Sequence, residues 1–338
     1  MGRGLSISNQ NILKAMSLQK TSKIVYLDQK CWINIAKLYF GETSEQESDI
    51  VQKLLKASEN GQMVFPLSLS HINETNRIAD DRRRNQLAFL MAEMSKGYTL
   101  QPYFNRLLKA EIRNIVLRKL GLSAINIRDY ILKKGISNLL GTKAKLVPRN
   151  GTKSSELPEN VKKELLDLLE SPEAIELALR QRPPKSIERN KRELVKKMEK
   201  IRNDLSAIKD NNLRQRVFLA KNMVEMVAPE LAKVLLESNL PKDFFLKKKP
   251  TRQDIDELLD NIPTARCLFS LIYQRDNQFQ RPIEVNDFND IWFLTLAIPY
   301  CDIVVTEKMW ASIATRAKLD RKYNTVFLSS IYQLERYL

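Results

Sequence analysis

The sequence predicts an α/β protein: a three-layer parallel-sheet domain carrying a large, basic, all-helical insertion. Three observations predict it. Short β-branched and aromatic runs alternate with helical periodicity over residues 20–120. The same alternation returns over residues 286–338. The stretch between them shows helical pattern only, and residues 101–285 carry 37 Lys+Arg against 24 Asp+Glu, so +13 of the net +16 lies there. The expected organisation is therefore a first sheet part at 1–120, a basic helical insertion at 121–285 and a last sheet part at 286–338.

Residues 1–20 read as a lead-in without the apolar core of a secretory signal. The first strand is Lys23–Asp28. Ile24, Val25, Tyr26 and Leu27 are apolar on both faces, the mark of a strand covered on both sides. Helices follow at Gln29–Phe40 and Ser44–Glu59, the second opened by a Ser44/Glu47 capping box and closed at Gly61. Met63–Leu67 is the next strand, and a helix starts in the run after it, with Leu69, Ile72 and Asn76 on one face. A further helix spans Asp80–Lys96 and stops at Gly97. Tyr98–Gln101 is a short strand.

From Pro102 to Glu284 no strand is expected. Helices are predicted at 103–120, 158–182, 186–209, 212–238 and 252–273. In the third of these, Ile187, Leu194, Met198, Ile201, Leu205 and Ile208 form a seam for packing on another helix of the same chain. The sheet pattern resumes with a helix at Asn286–Pro299, a strand at Asp302–Thr306, a helix at Trp310–Lys318, a strand at Thr325–Leu328 and a terminal helix at Ser329–Leu338.

Composition narrows the chemistry. No apolar run reaches the length of a membrane span. Cys31, Cys267 and Cys301 are scattered without a CxxC pair, which suits a reducing cytoplasm and argues against zinc. His71 is the single histidine, so multi-histidine metal sites are excluded, and its expected role is packing or a helix end. A metal here needs oxygen ligands, which favours Mg²⁺ or Mn²⁺. The basic middle suits a polyanion, most simply nucleic acid.

The acids form the informative set. Asp28 ends the first strand. Glu74 lies in the helix after the second strand, Asp287 and Asp290 open the helix before DIVVT, and Glu307 follows that strand. Carboxyl ends of parallel strands and the starts of the following helices share one edge, where ligands bind. Carboxylates gathered there repel one another unless a cation lies between them. Asp302 precedes its strand, so it reads as a turn residue at the opposite edge.

YLD at 26–28, Glu74, DIWFLTLA at 290–297, VVTEK at 304–308 and the terminal VFLSSIYQLERYL together resemble the PIN-like nuclease family. The resemblance covers roughly residues 20–120 and 286–338. It implies one or two Mg²⁺ or Mn²⁺ ions held by Asp28, Glu74, Asp290 and Glu307, with Asp287 an alternative or additional ligand. It implies hydrolysis of phosphodiester bonds, with RNA ahead of DNA as substrate. Thr306 matches a hydroxyl residue common before the last acid. Glutamate at 307 departs from the usual aspartate, and the helical middle is far larger than in a minimal member. Lys30, Arg77 and Lys308 lie near the same edge as candidate phosphate contacts. Two other readings keep the fold: a catalytically inactive nucleic-acid-binding or scaffold module, and a partner-binding component of a toxin–antitoxin or defence system, in which the helical seam of the insertion serves a protein partner or a second copy of the chain.

Overall fold

A computed structural model describes residues 22–41, 45–142, 158–181, 188–241, 243–245 and 250–338. The lead-in at 1–20, Ser44 of the expected capping box and Ile187 of the seam lie outside the described residues, as does the side chain of Leu194. The protein is mixed α/β and mostly helical, with a four-stranded parallel sheet.

The first half begins β1 (Lys23–Leu27), α1 (Gln29–Tyr39), α2 (Glu45–Glu59), β2 (Met63–Val64), α3 (Leu69–Thr75) and α4 (Asp81–Ser95). It continues with β3 (Tyr98–Leu100), α5 (Phe104–Lys119), α6 (Ile127–Ile131), β4 (Leu132–Lys134) and α7 (Ile136–Leu140). Then come α8 (Glu159–Leu169), α9 (Pro172–Arg180), α10 (Glu188–Ser206), α11 (Asn211–Asn222), a π-helical turn (Met223–Val227) and α12 (Ala228–Glu237). The last part holds α13 (Arg252–Asp260), α14 (Pro263–Asp276), α15 (Val285–Ala297), β5 (Ile303–Val305), α16 (Lys308–Arg316), α17 (Leu319–Tyr323), β6 (Val326–Leu328) and a 3₁₀ helix (Ile331–Tyr337).

The sheet order is β2-β1-β5-β6, parallel throughout. Val25 to Leu27 pair with Ile303 to Val305, and Ile303 to Val305 pair with Val326 to Leu328. The chain leaves β1 to one side for β2 and returns on the other side for β5. The sheet therefore has its switch point between β1 and β5, where a crevice opens at the carboxyl edge. Asp28 donates its backbone N–H to Val305 O at 3.0 Å, which ties the first residue past β1 to the last residue of β5.

Alternation along β1 feeds two cores. Val25 and Leu27 join one with Trp32, Ile35, Leu54, Leu90 and Met91. Ile24 and Tyr26 join the other with Leu108, Ile112, Phe269, Leu294 and Trp310. The middle segment supplies both cores. Ile175 and Leu179 of α9 pack with the first, where Arg84 Nε reaches Arg180 O at 3.1 Å. Leu205, Phe218, Leu259 and Leu268 pack with the second. Met198 is partly buried, and Ile201, Leu205 and Ile208 pack on that core, so the described part of the seam is spent within the chain.

Several expected elements are corrected. The middle segment is not all-helical: β4 pairs antiparallel with β3 in a separate two-stranded sheet. Three residues with two lysines carry no strand period to read. Tyr98–Leu100 accordingly belongs to that second sheet, and an isolated bridge from Thr99 reaches Leu67, just past β2. The second strand stops at Val64, two residues before Pro66, which has no N–H to give a ladder. The single helix expected at 158–182 is two, divided where Ser171 caps α9 and Pro172 occupies its first turn. Pro263 similarly starts α14 afresh. Pro229 sits two residues past the π-helical turn that interrupts 212–238, where a missing N–H breaks the i→i−4 ladder. The terminal segment is a 3₁₀ helix capped by Ser330 and Gln333.

Candidate active site

Strand β1 ends in the buried Leu27, and the next residue, Asp28, caps α1: its Oδ1 accepts from Cys31 N at 3.0 Å. Burial raises the Asp28 carboxyl above its ordinary value and Glu307 adds to the rise, while Cys31 and the Thr306 hydroxyl offset it. Asp28 is thus a helix cap that also faces other acids.

The Glu74 helix is anchored to β1 by His71. His71 is fully buried, its Nε2 donates to Leu27 O at 2.9 Å and its Nδ1 accepts from Ser68 N at 3.0 Å. Burial pushes its pKa down to about 3, so the ring is neutral and has a fixed tautomer. Glu74 comes three residues, nearly one helical turn, further on. The two lie about one turn apart on adjoining faces of α3, His71 buried against β1 and Glu74 further along at the cleft.

Asp290 lies in the second turn of α15, and Trp310 Nε1 donates to its Oδ2 at 3.0 Å. Burial pushes the Asp290 carboxyl up to about 7, reinforced by Glu74, Asp28 and Glu307. Glu307 caps the backbone entry to α16 and stays exposed, with Lys30 Nζ at 3.7 Å.

These four acids line one cleft of about 210 Å³, joined by Lys30 and Arg281. The remaining expected residues are placed differently. Asp287 also lines the cleft but is buried, and its two oxygens bond Arg281 at 2.7 and 3.2 Å and the Glu284 N–H at 3.2 Å. It closes a capping box with Glu284. Thr306 is buried behind Asp28. Arg77 and Lys308 are exposed and do not line the cleft. Asp302 lies at the far edge, as its place before the strand implies: it accepts from Ile24 N at 2.7 Å and pairs with Arg128.

Arg281, Trp310 as an acid's donor, and the Ser68–His71 anchor escape sequence reasoning. Arg281 sits in aperiodic chain six residues before Asp287, where no pattern assigns it a direction. His71 three residues after Ser68 does sit where a capping-box partner sits, and that spacing was a usable signal.

Among the described residues, no three His, Cys, Asp or Glu side chains converge as a ready-made metal cage. The donor set nonetheless fits a hard cation. It consists of carboxylates alone, they face one small cleft, and they raise one another's proton affinity there. Gln29 Oε1 lines the same cleft, buried and without a hydrogen-bond partner. Compared with protein-family models, curated proteins and solved structures, the chain matches none.

Proposed function

We propose that the chain is a PIN-like nuclease: a three-layer domain with an enlarged basic middle that hydrolyses phosphodiester bonds, RNA foremost, with Mg²⁺ or Mn²⁺. One observation carries the reading. Asp28, Glu74, Asp290 and Glu307 come from four separate segments and line a single cleft at the sheet's switch point. Mutual repulsion among carboxylates in a partly buried site is an unfavourable arrangement that a divalent cation relieves.

In this reading Asp28, Glu74, Asp290 and Glu307 are the residues that would hold the cation, by oxygen alone. A divalent cation held there would supply an activated water and charge neutralisation at the phosphoryl group. Asp28 is held by Cys31 and Thr306, and Asp290 by Trp310, so each presents its free oxygen in a fixed direction. Lys30 and Arg281 bring positive charge to the cleft wall, where a phosphate oxygen would otherwise meet only acids. The water oxygen would bond to phosphorus as the bond to the 3′ oxygen breaks, and the proton the water loses would end on that oxygen, giving a 5′-phosphate and a 3′-hydroxyl. No histidine base is used, in keeping with a His71 buried behind the strand.

The test is incubation of structured and unstructured RNAs with Mn²⁺, comparing the wild-type protein with Asp28→Asn. Cleavage by the wild type alone is expected. Equal cleavage by both, or none on any substrate, overturns the proposal. In the second case, RNA binding without cleavage would favour a non-catalytic nucleic-acid-binding module.

A further inference from the structure

We infer that a second cleft, at the carboxyl end of α16, binds the phosphates of a nucleotide-sized ligand. It opens between α11, α13, α14 and the corner joining α16 to α17, and holds about 640 Å³. That lies within the range of small-molecule pockets, roughly 300–1,000 Å³. Its rim carries Arg252, Arg266, Arg316, Lys318, Arg321 and Lys322 against only Asp256 and Asp260.

The two acids are already occupied. Asp260 takes Arg266 and Lys322, each at 2.6 Å, and Asp256 takes Arg266 at 3.2 Å and Arg252 at 3.6 Å. Arg316, Lys318 and Arg321 are exposed and have no acidic partner among the described residues. They fall within six residues of chain. Lys318 adopts a left-handed conformation, φ +58°, which turns the chain sharply between α16 and α17. Three unpartnered cations held together at such a corner attract an anion strongly. The remaining wall is neutral: Leu259, Phe269 and Leu319 give an apolar floor, and Gln215, Ser270 and Gln274 give hydrogen-bonding groups. A cationic rim over a mixed neutral floor matches a phosphate joined to a sugar and base better than a bare anion.

The phosphate could belong to a free nucleotide or to an RNA strand. α16 links the two clefts, with Glu307 at its start and Arg316 at its end. Nine helical residues span ~13 Å. A strand in the acidic cleft would then pass within a few nucleotides of this one. Only that second source rests on the nuclease reading.

The experiment measures binding of a labelled single-stranded RNA to the full chain by anisotropy in EDTA, with ATP as competitor. The double variant Arg316→Gln/Arg321→Gln is expected to bind at least tenfold more weakly. Its log–log salt slope should be shallower by about 1.4, roughly 0.7 for each lost single-strand phosphate contact. The control Arg82→Gln/Arg83→Gln removes the same charge from α4, which packs on the other face of the sheet, and should stay within about twofold of wild type. Displacement of RNA by ATP assigns the site to free nucleotides, and loss in the double variant without displacement assigns it to the polynucleotide. A double variant that binds as wild type does, or a control that loses as much, overturns the inference. No cleavage is read in EDTA, so failure of the nuclease proposal is seen separately, in the Asp28→Asn assay. Both arginines are exposed and unpaired, and an unchanged thermal unfolding midpoint confirms that the variant is folded.

Discussion

Asp290→Asn should make the metal-free protein more stable, and more so as the pH rises. The folded-state carboxyl titrates at about 7 where an ordinary aspartate titrates at 3.8. Below 3.8 the group is protonated in both states and its contribution is whole. As pH rises from 3.8 through 7 the unfolded chain releases a proton that the folded chain keeps, so stability is lost. At 1.36 kcal/mol per unit, the ionised side chain costs the fold about 4 kcal/mol at pH 8 and about 1.6 kcal/mol at pH 5. Asp290 is only partly buried, so solvent screening brings the pH 8 figure to ~2–4 kcal/mol. Asparagine keeps an oxygen for the Trp310 indole N–H and removes the charge that Glu74, Asp28 and Glu307 repel. The assay is urea unfolding of both proteins in EDTA at pH 5, 6, 7 and 8. The difference should grow with pH and level off above 7. Added Mn²⁺ should stabilise the wild type and leave the asparagine variant nearly unmoved. A variant less stable than wild type at pH 8, or a gain equal at pH 5 and 8, would refute the reasoning.

Three further outcomes are expected. His71→Ala leaves Leu27 O and Ser68 N buried and unpaired and opens a cavity between β1 and α3. It should cost ~3–5 kcal/mol in denaturant unfolding, with faster amide exchange at Ser68. The wild-type His71 also sets a pH dependence: its contribution is whole above 6.5 and is lost as pH falls toward 3, a loss that the alanine variant should not show. Arg281→Ala strands the buried Asp287 carboxylate and should cost ~3–5 kcal/mol, most of it recovered in the double variant with Asp287→Asn by a double-mutant cycle. Glu111, buried and bonded to Thr264 and Tyr300, has its carboxyl raised by burial to about 7. Its contribution is whole below 4.5 and falls as pH rises to 7, so Glu111→Gln should flatten the unfolding profile there by about 3 kcal/mol.

The strands of the four-stranded sheet were legible because each is a short apolar run with a turn or a helix signal behind it. The position of Asp28 follows from that pattern alone, since a charged residue cannot continue a strand buried on both faces. Glu307 follows in the same way after Ile303, Val304 and Val305. The period of α3 places Leu69 and Ile72 on one face, but it cannot say that the His71 ring reaches back to Leu27, because that contact spans 44 residues. Helix breaks at Pro172, Pro229 and Pro263 are legible in the sequence, although the apolar period runs on across each of them. β4 was not readable: its three residues pair with β3 through backbone groups that every sequence possesses.

The middle segment shows where pattern ends and packing begins. Its periodicity implies helices, and its charge is the ground for expecting a polyanion partner, but neither says which face of the sheet each helix covers. α9 completes one core and α11 to α14 complete the other. The segment is therefore part of what holds β1 and β5 rigid, and with them Asp28 and Glu307. Arg281 makes the same point at the cleft. It comes from the turn between the segment's last helix and α15, and its charge balances Asp287 at the wall of the acidic cleft. Removing the middle segment would thus do more than remove a basic surface. It would strip both sheet faces and leave a buried carboxylate without its cation, so the acids at the switch point depend on the helices that interrupt the sheet sequence.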